Sequence, residues 1–254
     1  MSPGREREVT ASFVALADSL VDGFDVVDLL IGLTQSCAKL LDIASAGLLL
    51  ADQRQVLHVV AASSEATRDL ELFQLQRDQG PCLDCYRTGT AVSVPDLRDQ
   101  ADVWPSFAQA ALSVGFLSVH AVPMRLRENV LGTLGLFGSR VGSLNEEDLR
   151  LAQALAHVAS VSIVQNKIVT DASLVTEQLQ LALSSRVVLE QAKGSIAQRG
   201  DIGMDQAFEV LRRYARDHNQ RLTDVAAAVV ARTLPARLLL DHARSRAARP
   251  PTSA

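Results

Sequence analysis

Residues 116–138 read FLSVHAVPMRLRENVLGTLGLFG, two apolar runs divided by a short polar break. Phe116 to Met124 and Val130 to Phe137 have strand length and composition, and Arg127-Glu128-Asn129 supplies a turn, so the stretch predicts an antiparallel hairpin. An earlier pair repeats the pattern, with Ala46 to Ala51 and Val56 to Ala62 around Asp52-Gln53-Arg54. Before it, Asp25 is placed to cap a helix carrying Val26, Leu29, Leu30, Leu33, Cys37, Leu40 and Leu41 at helical spacing. Between the hairpins lie a helix near Glu65 to Gln76, a Gly/Pro-punctuated stretch from Gly80-Pro81-Cys82 to Pro95, and a short helix starting near Trp104 or Pro105. This order predicts an α+β fold, an antiparallel sheet with flanking helices.

From Asn145 the pattern turns helical. Asn145 followed by Glu146, Glu147 and Asp148 is a cap with negative charge at the positive end of the dipole. One heptad register runs through Leu151, Ala154, Val158, Val161, Gln165, Ile168, Ala172, Val175, Leu179, Ala182, Arg186 and Leu189. Ten of these twelve positions are apolar, which favours a coiled-coil seam over chance alternation. At about 1.5 Å per residue such a rod is on the order of 70 Å long, too long to bury its stripe in one small domain. A parallel homodimer is expected, and two shorter helices broken near Asp171 are the alternative. Gly200 and Gly203 end the rod. Two further helices follow, one with Met204, Ala207, Phe208, Leu211, Tyr214 and Ala215 on its apolar face, the other with Leu222, Val225, Ala226, Val229 and Val230. Together they predict an all-α three-helix bundle. The chain thus divides into a lead-in at 1–14, a sensor domain at 15–168, a linker helix at 169–190, an output domain at 175–235 and a disordered tail at 244–254.

Composition narrows the function. No apolar run approaches the roughly 20 residues of a membrane span, and the charged start Arg5-Glu6-Arg7-Glu8 lacks an apolar signal core, so a cytoplasmic protein is expected. Three cysteines are too few for a secreted disulfide framework. The overall charge of -4 conceals an asymmetry: residues 1–170 carry 13 basic and 20 acidic side chains, residues 171–254 carry 12 and 9. A basic C-terminal module is compatible with phosphate binding. Walker A, GxGxxG, HExxH and GxSxG patterns do not occur, and no set of residues converges into acid, base and nucleophile, so no catalytic residues are assigned.

The segment from Ala182 reads ALSSRVVLEQAKGSIAQRGDIGMDQAFEVLRRYARDHNQRLTDVAAAVV. It resembles an ANTAR domain, the three-helix RNA-binding output module of bacterial antiterminators, through Arg186, Gln191-Ala192-Lys193-Gly194, Asp205, Ala207-Phe208, Leu211-Arg212, Ala215, Asn219, Leu222 and Val225-Ala226. The N-terminal part resembles a GAF domain, a sensory fold, through Gly80-Pro81, Asp96-Leu97, Trp104-Pro105 and the Gly132/Gly135 strand. The pairing implies a signal-responsive antiterminator that binds paired RNA hairpins in leader transcripts.

Arg212, Arg213 and Arg216 fall on one side of their helix with Glu209, opposite the apolar stripe, and guanidinium suits phosphate contact and base stacking. With Arg186, Lys193, Asn219 and Arg221 they form the expected RNA-binding set. Each also has a plainer reading: a solvated helix face for the arginines, dipole compensation for Lys193, a helix cap for Asn219. For Tyr214, core packing is favoured over base stacking. The resemblance makes Cys82, Cys85, Trp104, Phe107 and His120 candidates for lining a sensor pocket, whose ligand, a small molecule or a partner protein, is not named by the sequence. Cys82-Leu83-Asp84-Cys85 has CxxC spacing, but a zinc site needs a second ligand pair that the scattered histidines do not supply. A redox switch would require an exposed thiol of lowered pKa, so plain packing is favoured. Alternatives to the antiterminator are a GAF-type thiol-dependent reductase and a DNA- or protein-binding regulator.

Overall fold

The structure, a computed structural model, describes residues 3–18, 26–52, 54–142, 144–165, 174–218 and 220–247; side chains are described for fewer of these. The chain divides into two compact units, Met1–Gln180 and Leu181–Ala254.

In the first unit α1 (Pro3–Asp18) and α2 (Val26–Leu40) precede the hairpin β1 (Ser45–Ala51) and β2 (Leu57–Ala62). Then come α3 (Glu65–Arg77), α4 (Pro81–Thr88), β3 (Val92–Val94), a 3-10 turn (Leu97–Gln100), α5 (Pro105–Ser113), the hairpin β4 (Ser118–Leu126) and β5 (Asn129–Gly138), and α6 (Glu146–Gln165). The strands form one antiparallel sheet in the order β2-β1-β5-β4-β3. Both expected hairpins form. The second is tighter than the sequence indicated: Leu126 pairs with Asn129, leaving Arg127-Glu128 as the turn, with Arg127 in the left-handed region.

Strand alternation sorts the two faces of the sheet. On one, Leu49, Val59, Val119, Ala121 and Phe137 pack under α3, α4 and α5, meeting Leu70, Cys82, Leu83, Cys85, Trp104 and Phe107. The opposite face meets α2 and α6. Helix α6 buries Ala152, Leu155, Ala156, Ala159 and Ile163, and Gln153 donates from Nε2 to the Pro123 carbonyl of β4 at 3.0 Å. Asn145 caps it as read from the sequence, its Oδ1 accepting from the Asp148 amide at 2.8 Å.

Two differences have local causes. The punctuated stretch after Gly80 contains a helix, α4, whose boundaries are those same punctuating residues. Pro81 occupies its first turn, where a missing N–H costs nothing, and Gly89 closes it at φ 67°. The expected lead-in is likewise helical: α1 runs past residue 14 and packs on α2 and α6.

The second unit holds the greater part of α7 (Leu174–Gly200), then α8 (Met204–Asp217), α9 (Leu222–Val230) and α10 (Ala236–Ala247). Leu189, Ala192 and Ile196 of α7, Ala207, Leu211 and Ala215 of α8, and Leu222, Val225, Ala226 and Val229 of α9 are buried, the three-helix unit expected. Helix α10 is an addition. Ala236, Leu239 and Leu240 bury its inner face, it packs on α8, and it reaches Ala247, so the first residues of the expected tail are helical. Residues 248–254 lie outside the described residues, as do 166–173, on which the continuity of the predicted rod depends. Among the described residues no helix is long and apolar enough to cross a membrane.

Candidate RNA interface and sensor site

Helix α8 separates its faces sharply. With Ala207, Leu211 and Ala215 buried, 3.6 residues per turn carry Glu209, Arg213 and the exposed Arg216 outward, with the half-buried Arg212 on the flank toward Phe208. Arg221, also exposed, stands at the N-terminus of α9. The structure therefore brings Arg212, Arg213, Arg216 and Arg221 to α8 and the turn after it. Asn219 and the Arg186 side chain lie outside the described residues.

Lys193 departs from the expectation of a surface cation. It is 7 % exposed, holds both Glu190 carboxylate oxygens at 3.2 Å and lies 5.9 Å from the Phe208 ring centroid. It also sits mid-helix, since α7 runs on to Gly200, so it compensates no helix terminus. Its charge is spent within the bundle, joining α7 to α8.

Tyr214 is half-buried, stacked on His218 with centroids 4.0 Å apart and edge-on to His242 of α10 at 5.5 Å. His242 Nε2 lies 2.9 Å from Asp217 Oδ2. This aromatic corner, where α10 meets the end of α8, is absent from the sequence-based reading.

In the sensor unit four of the five expected pocket residues share the face under α3–α5. Cys82 and Cys85 are buried on α4; Trp104 donates from Nε1 to Asp84 Oδ2 of α4 at 2.9 Å and meets Phe107 edge-on at 6.4 Å. His120 does not join them. Lying between Val119 and Ala121, it points to the opposite face, its Nδ1 2.7 Å from Ser93 Oγ and its Nε2 3.4 Å from the Leu144 amide. Burial holds the ring below the usual imidazole pKa, partly opposed by a hydrogen bond to the Gly142 backbone. A cleft of about 300 Å³ opens there, lined by Asp42, Ser118, His120, Arg140, Asn145 and Asp148 among others.

Two residues the sequence reading missed hold the centre of the first face. Glu71 and Gln74 of α3 are fully buried. Gln74 Nε2 donates to Glu71 Oε2, and the Cys82 thiol faces Glu71 Oε1 at 3.6 Å. No cation stands among these contacts. Burial therefore pushes the Glu71 carboxyl up to about 8, against an ordinary 4.5, so that it is mostly protonated at neutral pH. Desolvation also raises Cys82, and Cys85 to about 12, so both are thiols rather than thiolates. The signal for Glu71 lay in two glycines: Gly47 and Gly135 pair directly across β1 and β5, and a Cβ on either would stand 2.7 or 2.6 Å from Glu71 Oε1.

Comparison with known proteins agrees with both halves. A GAF-domain family model matches residues 25–164 and an ANTAR-domain model residues 177–230. Among solved structures, the GAF domain of an Acinetobacter phosphoenolpyruvate-protein phosphotransferase is similar at 13% identity and TM-score 0.52, covering 68% of this chain and 99% of its own. The free methionine-R-sulfoxide reductase of Neisseria meningitidis, in complex with its substrate, is similar at 17% identity and TM-score 0.51, covering 67% and 96%. At these identities the likeness is one of fold. No curated protein matches the chain.

Proposed function

The chain belongs to the GAF-domain family and carries an ANTAR domain behind it, the architecture of a regulator with a sensor; on that premise we propose that it binds paired RNA hairpins in leader transcripts and acts as a signal-responsive antiterminator. The observation that carries this reading is the outer side of α8. The half-buried Arg213 and the exposed Arg216 stand off the packed face, the half-buried Arg212 lies on its flank, and Arg221 follows in the next turn. Guanidinium groups so spaced meet phosphate oxygens and base edges of a folded loop without disturbing the bundle beneath.

The same reading makes the protein a homodimer through the Leu151–Leu189 seam. Helix α6 supports it: Leu151, Val158 and Val161 are half-buried and Ala154 exposed, off the face that packs on the sheet, so an apolar edge is left for a partner helix. Two output units side by side then match two hairpins. The signal, a small molecule or a partner protein, acts through the sensor unit, where the buried Glu71–Gln74–Cys82 group is the polar centre under α3 and α4.

The reductase alternative finds less support, since both α4 cysteines are buried and held as thiols. Arg212→Ala combined with Arg216→Ala should abolish hairpin binding in a gel-shift titration while circular dichroism stays helical. Wild-type affinity in that variant would remove α8 from the interface.

A further inference from the structure

We propose that the outer ring face of His218 is a stacking position for one unpaired base of the bound hairpin loop, a contact that rests on the RNA reading above. The ring is fixed before any ligand arrives. Its Nδ1 lies 2.9 Å from the Tyr214 carbonyl oxygen. A carbonyl only accepts, so Nδ1 carries a proton and the ring is held in place by that bond. One face lies on Tyr214, nearly parallel at 18°.

The other face is not covered by the third ring of the corner. His242 stands 5.1 Å from His218 and 5.5 Å from Tyr214, which are themselves 4.0 Å apart. A ring nearly equidistant from two stacked rings lies beside the pile, not on top of it. His242 is fastened there by Asp217, its Nε2 2.9 Å from Asp217 Oδ2. His218 is an exposed residue just past the end of α8.

Its surroundings suit a nucleobase. The exposed Arg221 follows it by three residues, at the start of α9, so a base set on the ring would have a guanidinium in the same turn of chain for its flanking phosphates; Arg216, two residues back, lies on the other side of α8. Loop bases are commonly read by stacking on aromatic planes, and a ring already immobilised loses little entropy when one arrives.

The test uses the full chain. The probe is the tandem stem-loop RNA that the wild-type protein enriches from a pool with randomised loops, carrying 2-aminopurine at each loop position in turn. One position should change fluorescence on binding. His218→Ala should abolish that change and weaken binding about tenfold, while His218→Phe restores both. The salt dependence should be the same in all three proteins, because no phosphate contact is lost. A His218→Ala protein that binds with wild-type affinity and signal overturns this inference alone. A wild-type chain that enriches no stem-loop overturns the RNA reading and this inference with it.

Discussion

Replacing Glu71 with Gln keeps the size and polarity of the side chain but removes its titration. The carboxyl titrates near 8 in the folded sensor unit and near 4.5 as an ordinary side chain, so the folded state holds the proton more tightly. Stability from this group is therefore complete below pH 4.5 and is lost as pH rises toward and through 8. At 1.36 kcal/mol per unit, the linkage relation gives a loss of about 3 kcal/mol between pH 5.5 and pH 8. Glu71→Gln should not show it. The assay is urea unfolding followed by Trp104 fluorescence, which reports the sensor unit because Trp104 is the chain's one tryptophan and sits in that core. Subtracting the wild-type curve from the variant's at each pH cancels every other group, including His120, whose lowered pKa makes stability rise with pH near its own range. The difference should favour the variant by about 3 kcal/mol more at pH 8 than at pH 5.5. A difference that stays flat with pH would refute the argument that Glu71 is buried without a compensating cation.

Gly135→Ala should lower the sensor unit's stability by about 1–3 kcal/mol in the same fluorescence assay, because the new methyl would meet Glu71 Oε1 at 2.6 Å and Cys82 Sγ at 2.8 Å. Leu239→Ala should cost the C-terminal unit about 2–5 kcal/mol through the cavity it leaves, read as faster amide exchange in α8 and α10 with α3 and α4 unchanged.

Much of the fold was legible because its periodicities are strong. Both hairpins, α3, α5 and the Asn145 cap follow from alternation, helical spacing and capping chemistry that tertiary packing did not override. Helix α4 is not legible because Gly80-Pro81 reads as punctuation, when it is the start signal of an eight-residue helix, closed by Gly89, that is too short to display a period. Helix α10 follows Pro235 and contains Leu238-Leu239-Leu240, a run with no polar spacing to mark which leucines face inward; Leu239 and Leu240 are buried while Leu238 is 52% exposed. His120 was assigned to the wrong side of the sheet although the signal was available: strand alternation sets it opposite Val119 and Ala121. The buried face of α8 was legible because an amphipathic helix declares it, with Arg213 and Arg216 opposite and Arg212 on the flank. Lys193 was not, since no single-residue pattern foretells that Glu190 and Phe208 would enclose it.

On this reading α8 and the turn after it meet folded RNA in the cell. Crosslinking the full chain to RNA in growing bacteria and sequencing what it retains tests this directly. The expected result is a set of transcripts whose bound regions carry two short stem-loops in tandem, depleted when Arg212 and Arg216 are both alanine. Retained RNA without shared stem-loops, or the same yield from the double variant, would contradict it.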